Sequence, residues 1–463
     1  SEKVRRDGEN IGLNICFFVT YFTTEMIEKE TKKVYDTHMG KKNRCPYCGN
    51  NPIPHYINWY FDSLNILFEK LQIGLLANPL SRFASRWEDD VALFLIGFGR
   101  LFGVIRFGVK PGKTTLSRAK VLWEEAEKRG LEMREVRVFD RAVDTYIVRK
   151  PIPGSYKKKI ILFSGLPRPK NVNQAALATM DDKGIFKKTC LKNELPVPQG
   201  GFARTFEEAK KIFDRIEKPV IVKPRLGSRG RHVVTYVRNY DDLRHAFQIA
   251  RQLCLWVIVE EQIIGPVYRG TVINYEISGI LSGTQPQVTG DGKSNLLSLI
   301  EMKNKNREEG IAEVTPDEKM NWFLKRQLSF DGRIKLTNAD LIKPWKLSQK
   351  KGEEKNIIHT YIPAKGETVY LSEKIGVSYG GSSAEEFSIA HPDNKALFEK
   401  AAKVFRDVII GFDFMIPDIS RSWKEQRCGF LEANSVPFIN LHHTPHAGKP
   451  RNIASKVWDM IEF

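Results

Sequence analysis

An α/β protein, with helices and strands mixed within each unit, is what the sequence predicts, and three stretches carry the prediction. "TFEEAKKIFDRIEK" puts Phe206, Ala209, Ile212, Phe213 and Ile216 on one helical face and runs into the strand-like "PVIVKP". "HVVTYV", "DDLRHAFQIARQL" and "LWVIVEE" then read as strand, helix and strand, so the order from residue 219 is β, loop, β, α, β. Upstream, "SRAKVLWEEAEKRG" repeats apolar residues at helical spacing, stops on Gly130 and precedes the alternating "MREVRVF". "KKKIILFSGLPRP" supplies a further strand before a Pro-rich turn.

The 463 residues suffice for about three domains of ordinary size. Texture divides them into an N-terminal, mainly helical accessory region (1–107), a small αβ unit (108–178) and a long block (179–463). Within the last, residues 304–355 are Lys/Glu-rich with weak periodicity and are expected to form a surface insertion or mobile loop. A net charge of +18 points to anionic partners, which nucleotides, nucleic acid or acidic lipid all satisfy. Two apolar stretches, "IGLNICFFVTYF" from Ile11 and "VALFLIGFGRLFGVIRFGV" from Val91, fall short of the ~20 uninterrupted residues of a membrane span and are expected to be core helices. No cleavable leader opens the sequence, so a cytoplasmic protein is expected. Six cysteines, four of them single, do not make a disulfide framework.

"GVKPGKTT", from Gly108, has three residues where a phosphate loop needs four, and reads instead as a turn before a helix. "KPVIVKPRLGSRGRHVV" differs because its glycines lie between two strands. Such a hairpin can fold over phosphates, with Lys223 pointing an ammonium at the same oxygens, or can be a plain basic turn. Later, "VIIGFDFMIPD" and "CGFLEANSVP" set acids inside apolar strands. Glu432 and Asn434, two apart, share a strand face, and Asp413 holds a matching place in the first run. Two carboxylates and an amide are a hard oxygen set suited to Mg²⁺.

These residues, with "DDKGIFKKTCLKNELPVPQG", "VIVEEQIIGPVYRGTVIN", "QVTGDGKSNLLSLI", "SYGGSSAEEFSIAHPD" and "INLHHTPHAGKPRNIASKVWDMIEF", make the block from about Met180 onward resemble the ATP-grasp carboxylate-amine ligases, most closely the ATP-grasp domain of cyanophycin synthetase. The resemblance implies two α+β subdomains clasping ATP, with a small αβ unit ahead of them. It implies Lys183 and Lys223 on the phosphates, Gly227, Ser228 and Gly230 as a flap, and Glu260, Glu261 and Ile263 at adenine and ribose. It further implies that Arg269 steadies the transferring phosphate and that Asp413, Glu432 and Asn434 hold Mg²⁺. Ser382, His391 and His443 fall in family-like segments and are candidates for the acceptor site, as is His442. The expected reaction is ADP-forming: a small-molecule or peptide carboxylate is activated as acyl-phosphate and captured by an amine. A homo-oligomer is expected.

The resemblance does not extend to a Mur-ligase-like domain, and the family's Asn-Leu-Ser-x-Gly-Gly loop reads "GVSYGG" here, so substrate identity does not carry over. Two other classes compete: a nucleic-acid-binding module on the same scaffold, and an ATP-grasp kinase that stops at the phosphorylated product. Finally, "CPYCG" offers Cys45 and Cys48 as zinc ligands, with His38 and His55 at equal spacing on either side to complete a tetrahedron. A redox dithiol fits less well, since no strand precedes the pair; two reduced loop cysteines are the plain alternative.

Overall fold

The computed structural model describes residues 45–48, 55, 59, 88–151, 158–169, 180, 183–225, 230–336 and 356–461. Strands β1 (Ile105–Gly108), β2 (Glu132–Val138), β3 (Arg141–Pro151) and β4 (Lys158–Ser164) pair in chain order as an antiparallel meander. Its first strand thus begins three residues before the expected start of this unit. Helix α1 (Glu88–Leu101) precedes the sheet, and α2 (Ser117–Lys128) packs Ala119, Leu122, Trp123 and Ala126 against Met133, Tyr146 and Val148. "GVKPGKTT" is a turn, with the Gly112 N–H donating to Thr115 Oγ1 at 2.8 Å; Leu116 at the N-cap supplies no side-chain cap to α2. The expectation of a core helix after Val91 is not met. Helix α1 buries Ile96 but leaves Phe94, Leu95, Phe98 and Leu101 exposed, because its apolar residues run around the axis while the sheet covers one side. No described helix is long and apolar enough to cross a membrane, and the stretch from Ile11 lies outside the described residues.

Helix α3 (Lys183–Lys192) comes next, and from residue 219 the predicted strands and helix are observed in the order β, β, α, β. Strands β5 (Gly200–Ala203), β6 (Val220–Pro224), β7 (Val234–Val237) and β8 (Val257–Glu261) form an antiparallel sheet in the order β5-β8-β6-β7. Helices α4 (Phe206–Arg215) and α5 (Tyr240–Arg251) pack on it through Ala209, Phe213, Leu243 and Phe247. Thr205 and Glu208 close a reciprocal capping box at the start of α4, and Asn239 accepts the Asp242 N–H at the start of α5, so polar side chains fix both helix entries.

The second large sheet runs β15-β14-β9-β10-β13-β16, built from β9 (Val267–Ile273), β10 (Glu276–Gly283), β13 (Ser383–Glu385), β14 (Ile409–Met415), β15 (Gly429–Asn434) and β16 (Ala447–Gly448). Helix α9 (Pro392–Phe405) lies on it, and Phe398, Phe405, Phe412, Phe414 and Phe430 make its aromatic core, with neighbouring ring centroids 4.8–6.4 Å apart. Gly270 is required there: a Cβ would sit 2.4 Å from the Phe398 ring. A short helix α10 (Asn440–His443) follows, and the last helix α11 (Ile453–Asp459) returns to the first unit. Trp458 donates its indole N–H to the Leu122 carbonyl at 3.0 Å, and Ile453, Val457 and Trp458 share one core with α2.

The stretch expected as a surface insertion is partly core. Between β10 and β13 lie β11 (Gln287–Thr289), α6 (Leu296–Lys305), α7 (Glu318–Phe330), α8 (Ile357–Thr360) and β12 (Thr368–Tyr370). Helix α7 buries Met320, Leu324 and Leu328 against Leu296, Ile300 and Val369, and turns Trp322 into the core under α4 and α5. Its charged residues hid this: Arg326 is itself buried, bonded to Asp242 and to the Thr235 and Tyr236 carbonyls. Residues 337–355 lie outside the described set. Leu324→Ala is therefore expected to cost about 2–5 kcal/mol in denaturant unfolding, whereas exposed Glu318→Gln should stay within about 0.5 kcal/mol.

Candidate active site

Strand register builds one wall. Asp413 on β14 stands directly opposite Arg269 on β9 and opposite Glu432 on β15, so the three form one row across three strands. Directly opposed residues share a sheet face. The Arg269 guanidinium meets Asp413 with both arms, Nε at 2.7 Å and Nη2 at 2.8 Å, and Asp413 in turn raises the affinity of that guanidinium for its proton. Burial pushes the Glu432 carboxyl above its ordinary pKa, with the Asp413 charge adding to the shift. In the next row Asn434 faces Gly411, and its buried Nδ2 has no hydrogen-bond partner. The expected triad of Asp413, Glu432 and Asn434 is thus brought together. Its oxygens fit a hard divalent cation: two carboxylates pressed together at a charge cost, with the Asn434 amide oxygen two residues along the same strand.

The facing wall comes from the other sheet. Lys223, near the end of β6, pairs with Glu260 on β8, and Lys187 reaches the same carboxylate at 3.0 Å. Glu260 is 4% exposed. Burial alone would lift its pKa, but Lys223 first and then Lys187 outweigh it and hold the carboxyl below the usual glutamate range. Helix α3 joins the walls: Lys183 lies 3.9 Å from Glu432, and Lys187, one turn on, grips Glu260. Phe186 and Cys190 seat this helix in the aromatic core. The next residue, Glu261, accepts the Gln199 N–H at 3.0 Å and pairs with Arg427, which arises between β14 and β15, so a second charge pair ties the two sheets.

The remaining predicted residues divide. Ile263 is buried just after β8. Gly227 and Ser228 lie outside the described residues; Gly230 follows with φ +63°, and its carbonyl accepts from Lys319 at 3.2 Å while Lys319 pairs with Glu373 at 2.5 Å. Ser382 bonds Thr284 and lines a cavity of about 550 Å³ together with Lys303, Arg307 and His446. His391 is an N-cap, its Nδ1 accepting the Asp393 N–H at the start of α9. His443 accepts the Ala454 N–H at 3.2 Å, and burial lowers its pKa to about 4, so it is neutral at neutral pH. His442 is fully buried between Glu385 and Thr271. All three histidines have structural work in this fold. Cys45, Cys48 and His55 do come together, and the group beside them is His232; His38 lies outside the described residues.

Sequence reasoning missed Lys187, Lys319 and His232. The first carried a signal, being four residues after Lys183 and so on the same helix face. The other two depend on long-range packing and had none.

Glu260 yields a stability test with a defined sign. Because its folded pKa is depressed, its contribution is fully present above the unfolded value and is lost as pH falls through the folded one. Glu260→Gln, which strands two lysines, should cost about 3–5 kcal/mol at neutral pH, and the gap to the parent chain should shrink in acid, as read by denaturant unfolding across pH.

No family model matches the chain. The glutathione biosynthesis bifunctional protein GshAB of Clostridium perfringens is 30% identical over 292 residues, covering 61% of this chain and 34% of that protein. Cyanophycin synthetase of Trichormus variabilis is 27% identical over 283 residues, covering 60% and 29%. The chain therefore spans about a third of the length of these relatives. Among solved structures, a bifunctional glutathione synthetase from Pasteurella multocida aligns with a TM-score of 0.48 and 23% identity over 74% of this chain and 43% of the other. Over the matched stretch the chain is thus similar in sequence to the glutathione-biosynthesis bifunctional proteins and to cyanophycin synthetases.

Proposed function

We propose that this chain is an ATP-dependent, ADP-forming ligase that activates the carboxylate of an amino acid or peptide and joins it to an amine. The observation that carries this reading is the pairing of walls across the cleft: Arg269, Asp413 and Glu432 in one row, facing Lys223 and Lys187 around Glu260, with Lys183 between them. Four cations against three carboxylates leave attraction for an anion, and no protein nucleophile stands in the row. That is the composition phosphoryl transfer calls for, since its catalysis is positioning and charge stabilisation.

Each residue has a role in this reading. Lys183 and Lys223 hold nucleotide phosphates, Lys223 being kept in place by a carboxylate it shares with Lys187 and therefore only partly neutralised. Asp413, Glu432 and Asn434 would hold Mg²⁺, which supplies charge neutralisation between the phosphates when bound. Arg269 spends Nε and Nη2 on Asp413, which fixes its plane and leaves Nη1 for an oxygen of the transferring phosphate or the acyl-phosphate. The substrate carboxylate attacks the γ-phosphate with ADP leaving; the amine then attacks the acyl carbon with phosphate leaving, and an amide results.

Hydroxylamine with ATP, Mg²⁺ and pooled carboxylates is the deciding assay. ADP and a hydroxamate should appear together by mass spectrometry; ADP release that never yields a hydroxamate or amide replaces the ligase by a kinase or ATPase. Glu432→Ala should lower kcat about 10²-fold or more without loss of fold by circular dichroism. Arg269→Lys keeps the charge but not the two-armed geometry, and should lower kcat about 10–10²-fold with the KM for ATP changed less. Equal loss in kcat and binding would place Arg269 in the scaffold only.

A further inference from the structure

We propose that Cys45, Cys48, His55 and His232 form a tetrahedral zinc site that pins the chain just ahead of β7 to the Pro46–Cys48 turn. The four ligand atoms lie within 4.8 Å of one another. His232 Nε2 is 3.4 Å from each sulfur, and His55 Nε2 is 3.3 Å from Cys48 Sγ. A tetrahedral Zn²⁺ with ordinary Zn–S and Zn–N bonds sets sulfur and nitrogen about 3.5 Å apart, so the cage is already near the size of the ion.

The surroundings point the same way. His232 Nδ1 donates to the Ile249 carbonyl at 2.8 Å, which fixes the tautomer with the Nε2 lone pair turned to the sulfurs, the arrangement expected of a ligating histidine. His232 is fully buried and Cys48 1% exposed, and neither cysteine is in a disulfide. Two thiolates and two imidazoles in a tetrahedron suit zinc better than harder or planar-coordinating ions. Cys48 ends a 3₁₀ turn, Pro46–Cys48, that Cys45 immediately precedes; its Tyr47 carbonyl accepts the His232 N–H at 3.0 Å and its Tyr47 ring meets Trp322.

The position gives the site its meaning. His232 has φ +55° and follows Gly230 by two residues, on the strand side of the glycine loop. Its ligation would tie the approach to β7 to the Pro46–Cys48 turn. The metal site itself does not depend on the ligase reading.

Metal analysis of the full chain, purified without a metal-affinity tag and dialysed, should give one zinc per chain, with Cys48→Ser and His232→Ala falling to a small fraction and His391→Ala unchanged. Cobalt substitution of the parent chain checks the geometry without any variant: tetrahedral d–d bands and a thiolate charge-transfer band are expected. Hydrogen exchange over residues 230–237 should accelerate on chelation and recover on zinc addition. A parent chain that takes up neither zinc nor cobalt, or that binds iron or copper in preference, overturns the site; metal binding with unchanged exchange overturns the pinning. Neither result touches the hydroxamate assay, so failure of this inference and failure of the ligase reading are told apart.

Discussion

Glu260, a carboxylate buried between two ammonium groups, is the contact on which the cleft depends. A lone charge at 4% exposure would be neutralised or driven out. Here Lys187 and Lys223 share it, which draws helix α3 and strand β6 to the same edge of β8. Because Lys183 is one helical turn before Lys187, the same geometry delivers a cation to Glu432 on the opposite sheet. One ion triad thus sets the distance between two walls built from segments far apart in the chain.

The second wall owes its order to ladder register. Once β9, β14 and β15 pair as they do, Arg269, Asp413 and Glu432 stand in a row, and slipping any strand by one residue would turn its polar member to the opposite face. What prevents slippage is the aromatic layer beneath. Phe398, Phe412, Phe414 and Phe430 interlock with a glycine opposite them, so apolar packing fixes that row.

Around these walls the chain uses its other parts as supports. Helix α7 lends Lys319 to the Gly230 carbonyl and Arg326 to the end of β7, while α11 and α2 lock the first unit under the second large sheet. Basic residues that look like solvated surface in the sequence are here spent on backbone carbonyls and buried carboxylates.

The sequence by itself determined the local elements and the chemistry of the strand ends. Helical spacing located α2, α4 and α5, alternation located β2, apolar runs located β6 to β8, and acids and an amide inside apolar runs marked Asp413, Glu432 and Asn434, because period and polarity are properties of neighbours along the chain. It misjudged α1 and α7. Charges interrupt the apolar pattern of α7, and only packing reveals that Arg326 is inside; α1 is apolar all round, and only packing reveals that one side is covered. Tertiary structure alone decided which histidine is a cap and that His232 joins His55 at the cysteines, since His232 and Cys45 are 187 residues apart. It alone decided, too, that Lys187 and Lys223 share one carboxylate. Those pairings are made by folding two sheets over each other, and no pattern along the chain records them.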